Sequence, residues 1–120
     1  MRFDDTRPIW IQLADSFRAR ITDGTWKPGQ KIPSVRDLAI EAGTNPNTVQ
    51  RALAALDDEG LTVSKRTAGR FVATDDSALS ALREEDARAA ADAFIHACRA
   101  LGVDVEGAHG LVDERWNADL

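Results

Sequence analysis

SVRDLAIEAGTNPNTVQRALAAL, residues Ser34–Leu56, is the stretch that decides the fold. Ser34 can N-cap a helix, with Asp37 three residues on in the manner of a capping box. Val35, Leu38 and Ala39 are the apolar residues of that helix, and Gly43 stops it. Asn45-Pro46 then starts another. Proline pushes the residue before it out of the α region, where an N-cap belongs, and Pro46 itself suits the first helical position. Val49, Leu53 and Leu56 recur as a buried stripe, and Gly60 ends the helix. Two short helices separated by Gly43, Thr44 and Asn45 make a helix-turn-helix.

Upstream, Pro8 is expected at the first position of a helix whose stripe is Ile9, Leu13, Phe17 and Ile21, ending near Gly24. Residues 26–33 are turn-rich and exclude helix. Downstream of Gly60 the period changes from 3.6 to 2. Leu61, Val63 and Lys65 alternate with Thr62 and Ser64 as a strand, residues 66–69 turn, and residues 70–73 return. This basic-tipped hairpin directly after a helix-turn-helix reads as a wing. With Leu13, Phe17, Leu38, Val49, Leu53, Leu56 and Phe71 as its core, the front half is complete at Thr74.

Residues 74–77 form a polar joint. A long alanine-rich helix follows, carrying Leu79, Leu82, Ala89, Ala90, Ala93, Phe94, Ala97 and Leu101, and Gly102 closes it. Asp104 can cap a last helix with Val105, Ala108, Leu111, Val112 and Trp116, weakened at Gly107 and Gly110. The expected architecture is mainly α with a small β-hairpin wing: a winged helix-turn-helix over residues 1–74, then a two-helix C-terminal tail over 75–120.

The chain has 120 residues, 43% hydrophobic and 29% charged, which suits an ordinary globular fold. Its net charge of −5 argues at first against a nucleic-acid partner. The charge is uneven, however: residues 1–74 carry a net +2 and residues 75–120 a net −7. That split suggests two jobs. Asp57, Asp58 and Glu59 cluster at one helix end, away from the basic residues. The single cysteine, Cys98, allows no intrachain disulfide. No apolar run reaches bilayer length, and the polar, acidic N-terminus is unlike a signal peptide. The expectation is a cytoplasmic protein with no membrane association.

Several pieces, in this order and spacing, resemble the GntR winged-helix family over roughly residues 8–74. They are Pro8-Ile9-Trp10, Lys27-Pro28-Gly29, Ile32-Pro33-Ser34-Val35-Arg36-Asp37-Leu38-Ala39, Asn47-Thr48-Val49, Leu56 through Gly60-Leu61, and Gly69-Arg70-Phe71-Val72. The run Asn45–Val49 is similar to the YtrA subfamily, whose members carry a short two-helix tail. The resemblance implies a bacterial DNA-binding regulator, most often a dimeric repressor of a nearby, often transporter, operon. Two departures stand out: many members have arginine where Pro46 stands, and often where Gln50 stands. The wing often reads Gly-x-Gly, and here Thr67 replaces the first glycine, which stiffens the tip. The DNA-binding portion of a larger GntR regulator and a winged helix used only for protein contact are the alternatives.

A recognition helix presents its N-terminal residues to base edges. Those are Asn45, Pro46, Asn47, Thr48 and Gln50. Asn and Gln can pair bidentately with adenine, and Thr can meet a thymine methyl. Asn45 reads equally as a cap and as a base contact; Asn47 has no capping duty. Arg36 lies on the first turn of the preceding helix, and the resemblance implies that it touches DNA. Ser34 can cap and also meet a phosphate. Arg51 can reach the backbone. In the wing, Lys65, Arg66 and Arg70 flank the tip, beside Thr67, and Gly69 permits close backbone approach.

Ala90, Ala93 and Ala97 would let tail helices approach closely, with Phe94, Leu101, Leu111 and Trp116 filling the seam of a homodimer. Its symmetry predicts double-stranded DNA with an inverted-repeat operator. The alternative is a tail folded back on its own winged helix in a monomer. Trp26 and Trp116 read as packing residues. His96 and Cys98, two apart on a helix, point to different faces and leave no metal site. Glu84, Glu85 and Asp86 read as a solvated face. No phosphate loop or nucleophile elbow is present. No enzyme, cofactor or metal is expected, and any small-molecule effector is unknown.

Overall fold

The computed structural model describes residues 2–120. The elements are α1 (Ile9–Thr22), α2 (Val35–Ala42), α3 (Pro46–Asp58), β1 (Thr62–Lys65), β2 (Gly69–Val72), α4 (Ser77–Ala100) and α5 (Val105–Trp116). The chain divides into two compact units, one ending at Ala81 and one spanning Leu82–Leu120.

In the first unit, Leu13, Phe17, Leu38, Val49, Leu53 and Leu56 are at most 1% exposed. Burying each contributes about 1.5–3 kcal/mol. Trp26 joins this core, its ring centroid 5.4 Å from that of Phe17. Gln12 is buried and fully occupied. Its Oε1 accepts from the Asp4 amide, and its Nε2 donates to the Asp4 and Arg7 carbonyls, each at 2.9 Å. That ties residues 4–7 to α1.

The helix starts follow the expected chemistry. Ser34 Oγ accepts from the Asp37 amide at 3.1 Å, and Asn45 Oδ1 from the Thr48 amide at 2.9 Å. Gly43 closes α2 with φ +70°, a conformation that glycine adopts freely. Pro8 departs from expectation by one place. It is the N-cap of α1, with extended ψ of 141°, and helical geometry begins at Ile9.

The hairpin pairs Thr62 with Val72, Val63 with Phe71, Ser64 with Arg70 and Lys65 with Gly69. Residues 29–32 lie along β2 as a third edge. Gly29 and Ile32 donate to the Val72 and Arg70 carbonyls, Val72 donates back to Gln30, and Lys31 pairs with Phe71. On β1 the threonine, not the valine, faces inward. Thr62 is 3% exposed and Val63 is 46% exposed, because Thr62 turns toward α3 and bonds Asp57. Phe71 is likewise half-buried rather than a core residue; Leu61, Val72 and Ile32 fill that place.

In the second unit, Gly102 (φ +75°) ends α4. Asp104 Oδ1 caps α5 by accepting from the Gly107 amide at 2.9 Å. A Cβ at Gly107 would stand 2.9 Å from Val103 Cγ1, so close packing explains that glycine. Of the described residues beyond 81, only Cys98 is buried. Trp116, expected to pack, is 80% exposed within this chain, because no other side chain of the unit covers it.

Candidate nucleic-acid interface

The start of α2, one side of α3 and the wing surround an open cleft of about 860 Å³. Lys31, Ser34, Gln50, Lys65, Thr67, Gly69 and Arg70 line it. Arg36, Asn45, Pro46, Asn47, Arg51 and Arg66 are exposed but do not line it, and Thr48 is half-buried.

Burial of Val49, Ala52, Leu53 and Leu56 fixes which side of α3 faces out. At 100° per residue, the opposite side carries Asn47, Gln50, Arg51 and Ala54. Capping sorts the first turn further. Asn45 Oδ1 takes both the Thr48 amide and the Thr48 hydroxyl, the latter at 3.1 Å. The Asn45 amide group keeps its two donors, whereas the Thr48 hydroxyl is committed to the cap. Asn47 and Gln50 carry the free amide side chains of this face. Ser34, with its oxygen accepting from Asp37, still has a hydroxyl proton to donate.

In the first unit, several cations are held by carboxylates and others are not. Arg7 pairs with Asp15, Arg18 with Asp15 and Glu59, Arg20 with Glu41, and Arg70 with Asp57. For Arg18, partial burial opposes the charge, but hydrogen bonds and attraction from Glu59 and then Asp15 outweigh it and raise its pKa. Lys31, Arg36, Arg51, Lys65 and Arg66 have no carboxylate partner among the described residues, and all five are exposed. They lie on the cleft, the helix-turn-helix and the wing tip. The net charge of the chain conceals this local field.

Two of these cations rest on aromatic rings. The Arg51 guanidinium stands 4.4 Å from the Trp10 ring centroid, and Lys65 Nζ 4.6 Å from that of Phe71. Such contacts orient a cation without neutralising it. Arg66 is free at the tip. Thr67 has φ +65°, which a β-branched residue adopts only under strain. Gly69 has φ +111°, and a Cβ there would come within 2.9 Å of Lys31 Cε. The Lys31 chain therefore crosses over the glycine.

Arg70 behaves differently from the expectation of an outward contact. Its side chain is 14% exposed and turned back on Asp57. Lys31 was not among the expected contacts, and it lines the cleft. The signal available was its place in a turn-rich segment before Ile32-Pro33, but only the pairing with Phe71 puts it beside the wing. Among the described residues, no cluster of His, Cys, Asp and Glu could hold a metal ion. No helix is long and apolar enough to cross a membrane.

Residues 11–72 match the model of the gntR family of bacterial regulatory proteins. The HTH-type transcriptional regulator YhcF of Bacillus subtilis is 31% identical over 105 residues, covering 88% of this chain and 87% of YhcF. The repressor YtrA of the same organism is 38% identical over 65 residues, 54% of this chain and half the length of YtrA. A solved GntR family regulator from Listeria monocytogenes superposes with a TM-score of 0.77 at 31% identity, covering 93% of this chain and 98% of that one. The DNA-binding domain of AraR, solved with its operator ORR3, superposes at 0.55 and 29% identity over 61% of this chain and 88% of that one.

Proposed function

The chain belongs to the gntR family of bacterial regulatory proteins, and from that premise we propose that it is a homodimeric repressor that reads an inverted-repeat operator. As a family member it is a DNA-binding transcriptional regulator built on a winged helix-turn-helix. The observation that carries the proposal is a cluster of cations without carboxylate partners. Lys31, Arg36, Arg51, Lys65 and Arg66 share the helix-turn-helix and wing with the exposed amides of Asn47 and Gln50. Phosphate contacts then position the protein, and Asn47, Gln50 and the Asn45 amide read base edges.

The proposed dimer uses the tail. Phe94, Leu111, Val112, Arg115, Trp116 and Leu120 line a mostly apolar hollow of about 520 Å³ on the second unit. Leu101 is 80% exposed, and Ala90, Ala93 and Ala97 are exposed as well. A second copy offering the same surface covers this face and gives two-fold symmetry. Control of a neighbouring operon, including a transporter operon, is part of the proposal.

Selection of bound duplexes from a random pool tests it. The expected result is an inverted repeat with half-sites about one helical turn, or a multiple, apart. Each phosphate neutralised should add about −0.9 to the slope of log affinity against log salt. No enrichment, or affinity independent of salt, would overturn the proposal.

A further inference from the structure

Asp57 is the carboxylate that the proposed interface does not use, yet more donors converge on it than on any neighbour in its acidic cluster. Arg70 Nε lies 3.1 Å from Oδ1 and 3.2 Å from Oδ2, and Arg70 Nη2 lies 3.0 Å from Oδ2. Ser64 Oγ donates to Oδ2 at 3.2 Å, and Thr62 Oγ1 donates to Oδ1. Glu59, by contrast, is taken by Arg18, and Asp58 is exposed.

The register explains how one side chain gathers these groups. Thr62 and Ser64 are two apart on β1 and so share a face. Arg70 is the cross-strand partner of Ser64. Asp57 sits in the last turn of the recognition helix, so a single carboxylate joins that helix to both strands of the wing. Residues 29–32 brace the outer edge of β2, but a two-stranded hairpin is marginally stable by itself and its angle to the recognition helix needs a tie to that helix. Charge-assisted bonds to a guanidinium that is 14% exposed suit that task.

We propose that Asp57 is a positioning residue for DNA binding: with Arg70, Thr62 and Ser64 it sets the angle at which the wing tip leaves the recognition helix. Arg70 is then a clamp inside the protein and not a phosphate contact. The proposal rests on the reading that the wing tip, through Arg66, touches DNA.

The two roles of Arg70 predict opposite signs. If Arg70 were held in reserve for a phosphate, Asp57→Asn would free it, remove a negative charge and tighten binding. If Asp57 positions the wing, the same substitution weakens binding. The full-length chain and its Asp57→Asn, Arg70→Lys and Arg66→Ala variants are titrated by fluorescence anisotropy onto a labelled duplex carrying the selected operator. Hydroxyl-radical footprints are taken in parallel. Asp57→Asn and Arg70→Lys should each weaken binding about tenfold, the loss expected for a charged hydrogen bond. Protection should vanish at the flanks under the wing and persist where the recognition helix enters each half-site. Affinity for Asp57→Asn equal to or tighter than that of the parent overturns the proposal. If Asp57→Asn does not fold, Arg70→Lys decides: unchanged affinity or an unchanged flank footprint overturns it. An Arg66→Ala variant that binds as the parent does removes the wing contact itself. Weakening by Arg66→Ala alone removes only the role of Asp57.

Discussion

The two units of the chain treat their apolar residues in opposite ways. In the first, Leu13, Phe17, Leu38, Val49, Leu53 and Leu56 find partners within the chain and vanish from solvent. In the second, Leu101 and Trp116 are each 80% exposed and Leu111, Val112 and Phe94 are 39%, 43% and 37% exposed. Charge divides too: residues up to Ala81 carry no net charge and those beyond it carry −5. A unit that satisfies its own core can offer cations and amides to DNA. A two-helix unit with an open apolar face gains by burying it against something of the same kind. The acids on that unit also keep its surface unattractive to phosphate.

The largest expected effect breaks this division of labour at its joint. Leu79 is 8% exposed and belongs to the first unit, so the tail is removed after Ala81 rather than after Thr74. The shortened chain should sediment as a monomer at micromolar concentration. Its operator affinity should fall about a hundredfold or more, because the second half-site is no longer tethered. A full-length chain that sediments as a monomer would remove the dimer. Next comes the core. Leu53→Ala should lower unfolding stability by about 2–5 kcal/mol. Leu111→Ala should cost under about 1 kcal/mol in dilute solution, where its side chain meets water, and should make the melting temperature less concentration-dependent, because the dimer is weakened. Equal losses at the two sites would mean that the tail is packed within its own chain.

A smaller pair of effects divides the DNA face itself. Asn47→Ala should cost about 1–3 kcal/mol of discrimination at one base position. Arg66→Ala should weaken every sequence alike. Competition assays with single-base variants of the selected operator separate the two. Unchanged preference in Asn47→Ala would shift the base contact to Gln50 or Asn45.

What was legible in the sequence was whatever neighbours decide. Ser34, Asn45 and Asp104 cap because the amide each one accepts from is three residues away. The stripe of α3 is visible because its period is local. The pairing of Arg70 with Asp57 spans 13 residues and that of Arg18 with Glu59 spans 41. No pattern in one sequence distinguishes a clamp arginine from a free one, so Arg70 and Arg66 read alike until the fold separates them. Lys31 escaped notice for the same reason, since its position depends on an edge pairing with Phe71. Alternation alone does not say which phase of β1 faces the core, and Thr62 takes that side because the half-buried Asp57 accepts its hydroxyl.

The smallest expected effect swaps glycine in opposite senses between the two units. Thr67 holds φ +65° at the wing tip. A β-branched residue in that region stores about 1–3 kcal/mol of strain, and glycine would release it. Glycine also adds about 0.4–1 kcal/mol of unfolded-chain entropy, so the net gain from Thr67→Gly should lie between about 0 and 2.6 kcal/mol. In the tail, Gly110 sits within α5, and a Cβ there would meet nothing within 4 Å. Gly110→Ala should therefore stabilise by up to about 1 kcal/mol through helix propensity alone. Gly107→Ala is the control: its Cβ would crowd Val103 Cγ1 at 2.9 Å and should forfeit that gain. Thermal or urea unfolding of the three variants checks the order. A loss of stability in Thr67→Gly would show that the tip is not strained. A gain in Gly107→Ala equal to that in Gly110→Ala would show that the start of α5 has room to relax. The wing variant should leave operator affinity within about twofold, because the Asp57–Arg70 clamp, and not the tip turn, directs the hairpin.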